Sequence, residues 1–251
     1  MDHVTRRFFL LSAAALSAGC VIRQGAADAM PRTVRQPVPG QTWRYAKHDF
    51  FTRSVVDEQV DRVRAVDHNV EIDSNYRAAD AATTPGWGED LLRKYPGQEA
   101  NPGGPLLREV QDPWGMLVLD PHWSQVQVYE TPIPLWPAEL VPGWETHIRT
   151  QYKTPAEQSA LPWNQTIKAL AWETVTVPAG QFKALRFTNH IRFKHSDFSR
   201  TDSVRHETIW FAPEVGRWVA RESRGTYYFA DSRIRQPYNE NAYRWELLEW
   251  S

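Results

Sequence analysis

Beyond about residue 40 the chain alternates apolar and polar residues with a period of two. Trp43, Tyr45 and Lys47 fall on one parity, Arg44, Ala46 and His48 on the other. Val60 to Val66 and Val70 to Ile72 continue as short β-like runs. Strands are expected again at Met116 to Leu119 and Gln125 to Tyr129. The last third is the clearest β region. There Leu185, Phe187, Ile191 and Phe193 alternate with Arg186, Thr188, His190, Arg192 and Lys194. Ile209 to Phe211, Val219 to Phe229 and Tyr243 to Trp250 follow. No alternation of strand and helix patterns is present, and short turns favour antiparallel pairing. The expected fold is mainly β: a single curved antiparallel sheet, or a half-barrel or sandwich, of about ten strands with one or two short helices.

Punctuation sets the domain plan. Residues 77–105 are rich in Pro and Gly and are read as an insertion or lid holding one short helix, Glu89 to Tyr95. Pro132, Pro134, Pro137 and Pro142 break a second stretch. Thr154-Pro155-Ala156-Glu157 has the cap, proline and glutamate of a helix start, with Leu161-Pro162 as its stop. Val38-Pro39-Gly40 and Val141-Pro142-Gly143 form a faint internal echo, each leading into a strand. Residues 39–251 are taken as one domain.

The N-terminus reads as an address. Arg6 and Arg7 precede a short apolar run, Phe8 to Ala18, and small residues lead to Cys20. Thr5-Arg6-Arg7-Phe8-Phe9-Leu10 resembles the twin-arginine export motif. Leu16-Ser17-Ala18-Gly19-Cys20 resembles a bacterial lipobox, with Ser17 where Leu is commoner. The resemblance implies cleavage of residues 1–19 and acylation of Cys20. Residues 20–38 would then be a flexible tether, on the periplasmic face of the outer membrane by the sorting rule that Val21 suggests.

Composition narrows the function classes. The 251 residues carry 29 basic and 30 acidic side chains, so no general field draws nucleic acid. A single Cys excludes an intrachain disulfide framework and a Cys-only zinc site. No apolar run is long enough for an ordinary membrane-spanning helix. No motif asks for a cofactor or a metal, and no nucleophile–base signature points to catalytic residues.

Val175-Thr176-Val177-Pro178-Ala179-Gly180-Gln181-Phe182 reads as strand, turn, strand. Trp210-Phe211-Ala212-Pro213-Glu214-Val215-Gly216-Arg217-Trp218 repeats that logic. Together these motifs, within Trp172–Arg221, resemble uncharacterised bacterial cell-envelope proteins of the domain-of-unknown-function 3108-like group. The resemblance implies a curved antiparallel sheet in an envelope protein and carries no catalytic residues.

Most of the 12 Trp are expected in the core. Trp87, Trp114, Trp136 and Trp163 lie in or beside Pro/Gly-rich stretches and are the candidate ligand contacts. Arg192 and Lys194, on the polar parity with Arg186 and His190, are candidates for an anionic head group, against the plainer reading of a solvated strand face. Glu173 falls on an apolar parity and should pair with an Arg, or be re-aimed by a bulge. The functional expectation is a lipid-anchored, non-catalytic binding or structural module for an amphiphile, a glycan or an envelope protein. The alternative is an envelope hydrolase with its site under the 77–105 loop.

Overall fold

The computed structural model describes residues 34–78, 107–112, 115–120, 122, 126–154, 159–231 and 236–251. Thirteen strands run in chain order: β1 (Thr42–Asp49), β2 (Val55–Val66), β3 (Val70–Ala78), β4 (Leu107–Gln111), β5 (Met116–Asp120), β6 (Gln127–Pro134), β7 (Glu145–Lys153), β8 (Leu161–Val177), β9 (Gly180–Phe193), β10 (Arg200–Ala212), β11 (Arg217–Phe229), β12 (Tyr238–Asn239) and β13 (Tyr243–Trp250). Neighbours from β1 to β10 pair in sequence order, β13 pairs with β1 and β11, and β10 pairs with β11. That last ladder closes the sheet into a twelve-stranded antiparallel barrel, with β12 as an extra strand on β11. The expected open sheet or half-barrel is therefore corrected: the two edges of the sheet meet and pair with each other. Among the described residues there is no helix. The two expected helices fall on 79–106 and 155–158, outside the described residues. Leu161-Pro162, read as a helix stop, instead opens β8.

Antiparallel succession puts the β2–β3, β4–β5, β6–β7, β8–β9 and β10–β11 connections at one end, here the lower, and the remaining connections at the upper end. The lower end is apolar. Trp43, Tyr45, Val63, Val70, Ile72, Val219 and Leu247 pack there with Val177 and Phe182 from the tip of the β8–β9 hairpin. That tip is held by the Ala179 amide donating to the Leu247 carbonyl at 3.0 Å. Tyr45 stacks on Trp218 at 3.7 Å, and Trp43 donates its indole N–H to the Val215 carbonyl. Each such side chain contributes roughly 1.5–3 kcal/mol by leaving water. Val34 packs with Phe211 and Trp136, and the Arg35 amide bonds the Pro213 carbonyl at 2.8 Å. The chain thus reaches the lower end four residues before Val38, inside the stretch expected to be tether.

The turns follow their sequences. Val38-Pro39-Gly40 and Val141-Pro142-Gly143 are the same turn, with Gly at φ +88° and +91° and the amides of Gln41 and Trp144 bonding back to Val38 and Val141. Pro178–Gly180 and Pro213–Gly216 each join antiparallel neighbours. β6 runs on through Pro132 and Pro134, since its ladder to β7 ends at Tyr129 and no partner there needs the missing N–H.

Gly115 separates two kinds of glycine effect. It sits at φ +79°, and an added Cβ would lie 2.0 Å from a ring carbon of Trp136. Gly180 sits at φ +135° with nothing nearer than 3.9 Å. Gly180→Ala should cost about 1 kcal/mol from backbone strain alone. Gly115→Ala should cost about 2–4 kcal/mol, because ring overlap adds to strain. Urea unfolding of the two variants checks the order; equal losses would contradict the packing of Trp136.

Candidate functional site

Polar side chains take over midway up the barrel. On β2, Asp61 shares inward parity with Val63; on β11, Arg217 and Arg221 share it with Val219. Arg217 is only 5% exposed in its side chain, against 0% for Asp61 and 4% for Glu109 on β4. Its Nη2 donates to Asp61 Oδ2 at 2.9 Å and to Glu109 Oε2 at 3.2 Å, and its Nη1 donates to Glu109 Oε1 at 3.2 Å. Gln59 and Ser74 donate to Asp61 Oδ1, and Gln111 donates to Glu109. Buried charges demand dense pairing of this kind; of the Arg217 donors, the buried Nε alone has no hydrogen-bond partner among the described residues.

A second centre lies beside it. His122 Nδ1 is 2.9 Å from Asp120 Oδ1 and 3.6 Å from Glu109 Oε2, and Nε2 is 3.2 Å from Ser74 Oγ. Burial opposes a charge on this imidazole, but the hydrogen bond to Asp120 and the carboxylates of Asp120, Glu109 and Asp61 outweigh it and raise its pKa. Asp120 is likewise opposed by burial, yet the hydrogen bonds and charge of His122 lower its pKa. Arg221 Nη2 donates to Glu207 Oε1 at 2.5 Å, and Asn189 donates to Glu207 Oε2 at 3.2 Å. Two guanidiniums, Arg217 and Arg221, face four carboxylates here, so a proton on His122 removes part of the deficit.

Above this layer opens a cavity of about 420 Å³, with Lys47, Arg200, Arg205, Arg221 and Glu240 among its charged lining. Tyr76, Tyr227, Tyr243 and Trp245 supply aromatic wall, and Asn239 and Asn241 supply amides. Below it, a cavity of about 60 Å³ shares Gln59, His122 and Arg221 with the upper one. Those three side chains separate a mouth large enough for a small molecule from a chamber fit for water.

The expected site residues do not converge on this mouth. Trp163 is 1% exposed, meets Tyr129 and Tyr152 edge-on, and bonds Gln165. Trp136 stacks on Phe211 at 4.9 Å toward the lower end. Both are packing residues that line the small chamber. Arg192 and Lys194 are exposed at the top of β9 and line an open outer groove with Arg149 and Phe198, apart from both Trp. Trp87, Trp114, Cys20, Arg6 and Arg7 lie outside the described residues, as do residues 79–105 of the expected lid. Glu173 does pair with Arg186, at 2.8 Å, and accepts from Trp210; the bulge between Ala169 and Ala171 re-aims its strand.

None of the residues expected from the sequence forms the ionic interior, although the sequence carries one signal for it. Asp61 beside Val63, Glu207 beside Ile209 and Phe211, and Arg217 and Arg221 beside Val219 are all charges on an apolar parity. Arg217 was hidden at the end of a turn motif.

The His122 shift gives a signed pH dependence. A raised pKa stabilises the fold fully below the unfolded value of about 6.5 and loses that contribution as pH rises through the folded pKa. The lowered pKa of Asp120 acts at the acid side, above about 3.9 and lost below it. His195, whose pKa burial and Arg200 lower, and His206, lowered by burial and His190, act with the opposite sign below neutrality. Unfolding free energy should therefore fall from pH 6.5 to 9, and His122→Gln should flatten that limb. An unchanged limb in the variant would contradict the placement of its proton.

No family model matches the chain, and no curated protein matches it. Two solved structures are similar at low identity. One is a candidate lipoprotein from Parabacteroides distasonis, 14% identical, covering 87% of this chain and 99% of that one, with a TM-score of 0.49. The other is a candidate exported protein with a YmcC-like fold from Bacteroides fragilis, 12% identical over the same shares, with a TM-score of 0.46.

Proposed function

We propose that this protein is a bacterial envelope lipoprotein, exported through the twin-arginine route and held by an acylated Cys20, that works as a non-catalytic binding module. The address rests on Arg6-Arg7 and on Leu16–Cys20. The observation that carries the binding reading is the cavity of about 420 Å³ at the upper mouth of a closed barrel. That volume is within the range of small-molecule sites, and closure makes the site pre-formed. Val34 and Arg35 pack at the lower end, so a chain anchored at Cys20 reaches the barrel at the end opposite its mouth. The periplasmic face of the outer membrane is the proposed location.

One observation favours the hydrolase reading. Ser74 Oγ, His122 Nε2 and Nδ1, and Asp120 Oδ1 stand in hydrogen-bond sequence at 3.2 and 2.9 Å, the order of a nucleophile, base and orienting acid. Three features argue against it. Ser74 is 0% exposed, its hydroxyl donates to Asp61 at 2.7 Å, and the carboxylates around His122 favour its protonated form over the free base that a nucleophile needs.

Two pairs of measurements test the proposal, one for the anchor and one for the binding reading. Mass spectrometry of protein from its native host should show a diacyl- or triacylglyceryl Cys20, and Cys20→Ser should leave the membrane fraction. A fluorophosphonate probe should leave Ser74 unlabelled while the full chain in detergent binds a member of a lipid and glycan panel saturably, followed by Trp fluorescence. Labelling of Ser74, with turnover lost in Ser74→Ala, would transfer the case to the hydrolase.

A further inference from the structure

Three of the cations on the wall and floor of the upper cavity are laid on aromatic rings. Lys47 Nζ is 4.2 Å from the Tyr243 ring centre, the Arg200 guanidinium 4.5 Å from Tyr227, and that of Arg221 5.4 Å from Trp245. A ring steadies a cation without cancelling its charge, unlike a carboxylate. Lys47 and Arg221 also have carboxylate partners, Asp57 and Glu207, but neither acid is on the cavity wall. Among the described residues, the carboxylate partner of Arg200 is Asp197 at 3.6 Å. The acid on the wall is Glu240, and it is held by Arg205 Nη2 at 2.8 Å and Nε at 3.1 Å. Among the described residues the wall is thus cationic, with Glu240 its one acid and Asp57 and Glu207 set behind it.

The rest of the wall selects what carries the negative charge. An acyl chain would strip Lys47, Arg200 and Arg205 of water without giving a partner in return. A sugar ring offers hydroxyls to Asn239, Asn241 and Glu240, and C–H groups to the edges of Tyr227, Tyr243 and Trp245 beside the cations. The volume admits a monosaccharide or disaccharide. Resting on the binding-module reading, we propose that the mouth binds a small anionic sugar, one bearing a carboxylate or a phosphate. Arg200 receives the anion at the rim, Tyr227 and Tyr243 flank the ring, and Glu240 with the two amides reads its hydroxyls. His122 and Arg221 close the floor.

Calorimetric titration of the full chain in detergent tests this with glucuronate, glucose 6-phosphate, glucose and inorganic phosphate. At least one of the two anionic sugars should bind at least tenfold tighter than glucose and than phosphate, which also separates the carboxylate source from the phosphate one. Arg200→Gln should lower that preference at least tenfold with an unchanged melting temperature, since Arg200 is a rim residue. Tyr227→Leu should weaken glucose and the anionic sugars together. Glucose bound as tightly as both anions, no binding by either anion, or wild-type affinity in Arg200→Gln would overturn the inference. Saturable binding of a neutral glycan or a lipid alone would overturn it while leaving the binding module standing; labelling of Ser74 with turnover would remove the module itself.

Discussion

Arg217 lies inside the barrel at 5% exposure, bonded to Asp61 on β2 and to Glu109 on β4. Taking one such ion out of water costs several kcal/mol, and only dense pairing recovers it. Gln59, Ser74 and Gln111 complete that pairing, so β2, β3, β4 and β11 are committed to one register around a single guanidinium. A one-residue slip of β2 would turn Asp61 outward and leave Arg217 facing Val60 or Arg62 instead. The fold needs such a device. A barrel of twelve strands encloses more volume than side chains from an apolar layer fill, and its upper half is lined with charge.

The same layer divides the molecule by use. Below it, Trp43, Tyr45, Val63 and Leu247 seal the lower end and accept the arriving chain at Val34 and Arg35. Above it, the described residues line a cavity whose cations are balanced by Asp57 and Glu207 behind the wall and by Glu240 on it. His122 belongs to both parts, since it faces Ser74 and Asp120 within the layer and lines the floor of the upper cavity. A change at His122 therefore touches both the buried charge layer and the floor of the upper cavity.

Local rules made much of the scaffold legible. Period-two alternation located β1, β2, β9, β10, β11 and β13, and Pro–Gly pairs located four turns, two of them the same turn at Gly40 and Gly143. Closure was not legible, because β1–β13 and β10–β11 pairing depends on how far twist accumulates around the sheet and not on any one strand. Trp136 and Trp163 looked like loop residues because each lies next to a proline; tertiary packing on Phe211 and Tyr129 decides otherwise. The parity argument that singled out Glu173 applied equally to Asp61, Glu207 and Arg221. The partners were out of reach, since Arg217 and Asp61 are 156 residues apart.

The most direct measurement is the urea unfolding of Arg217→Met beside the triple variant Arg217→Met, Asp61→Leu, Glu109→Leu. If the buried triad fixes the barrel, the single change leaves two uncompensated carboxylates and costs about 3–5 kcal/mol, while the triple variant recovers most of that loss. A loss below about 0.5 kcal/mol for Arg217→Met, the size of an ordinary surface change, would contradict the account.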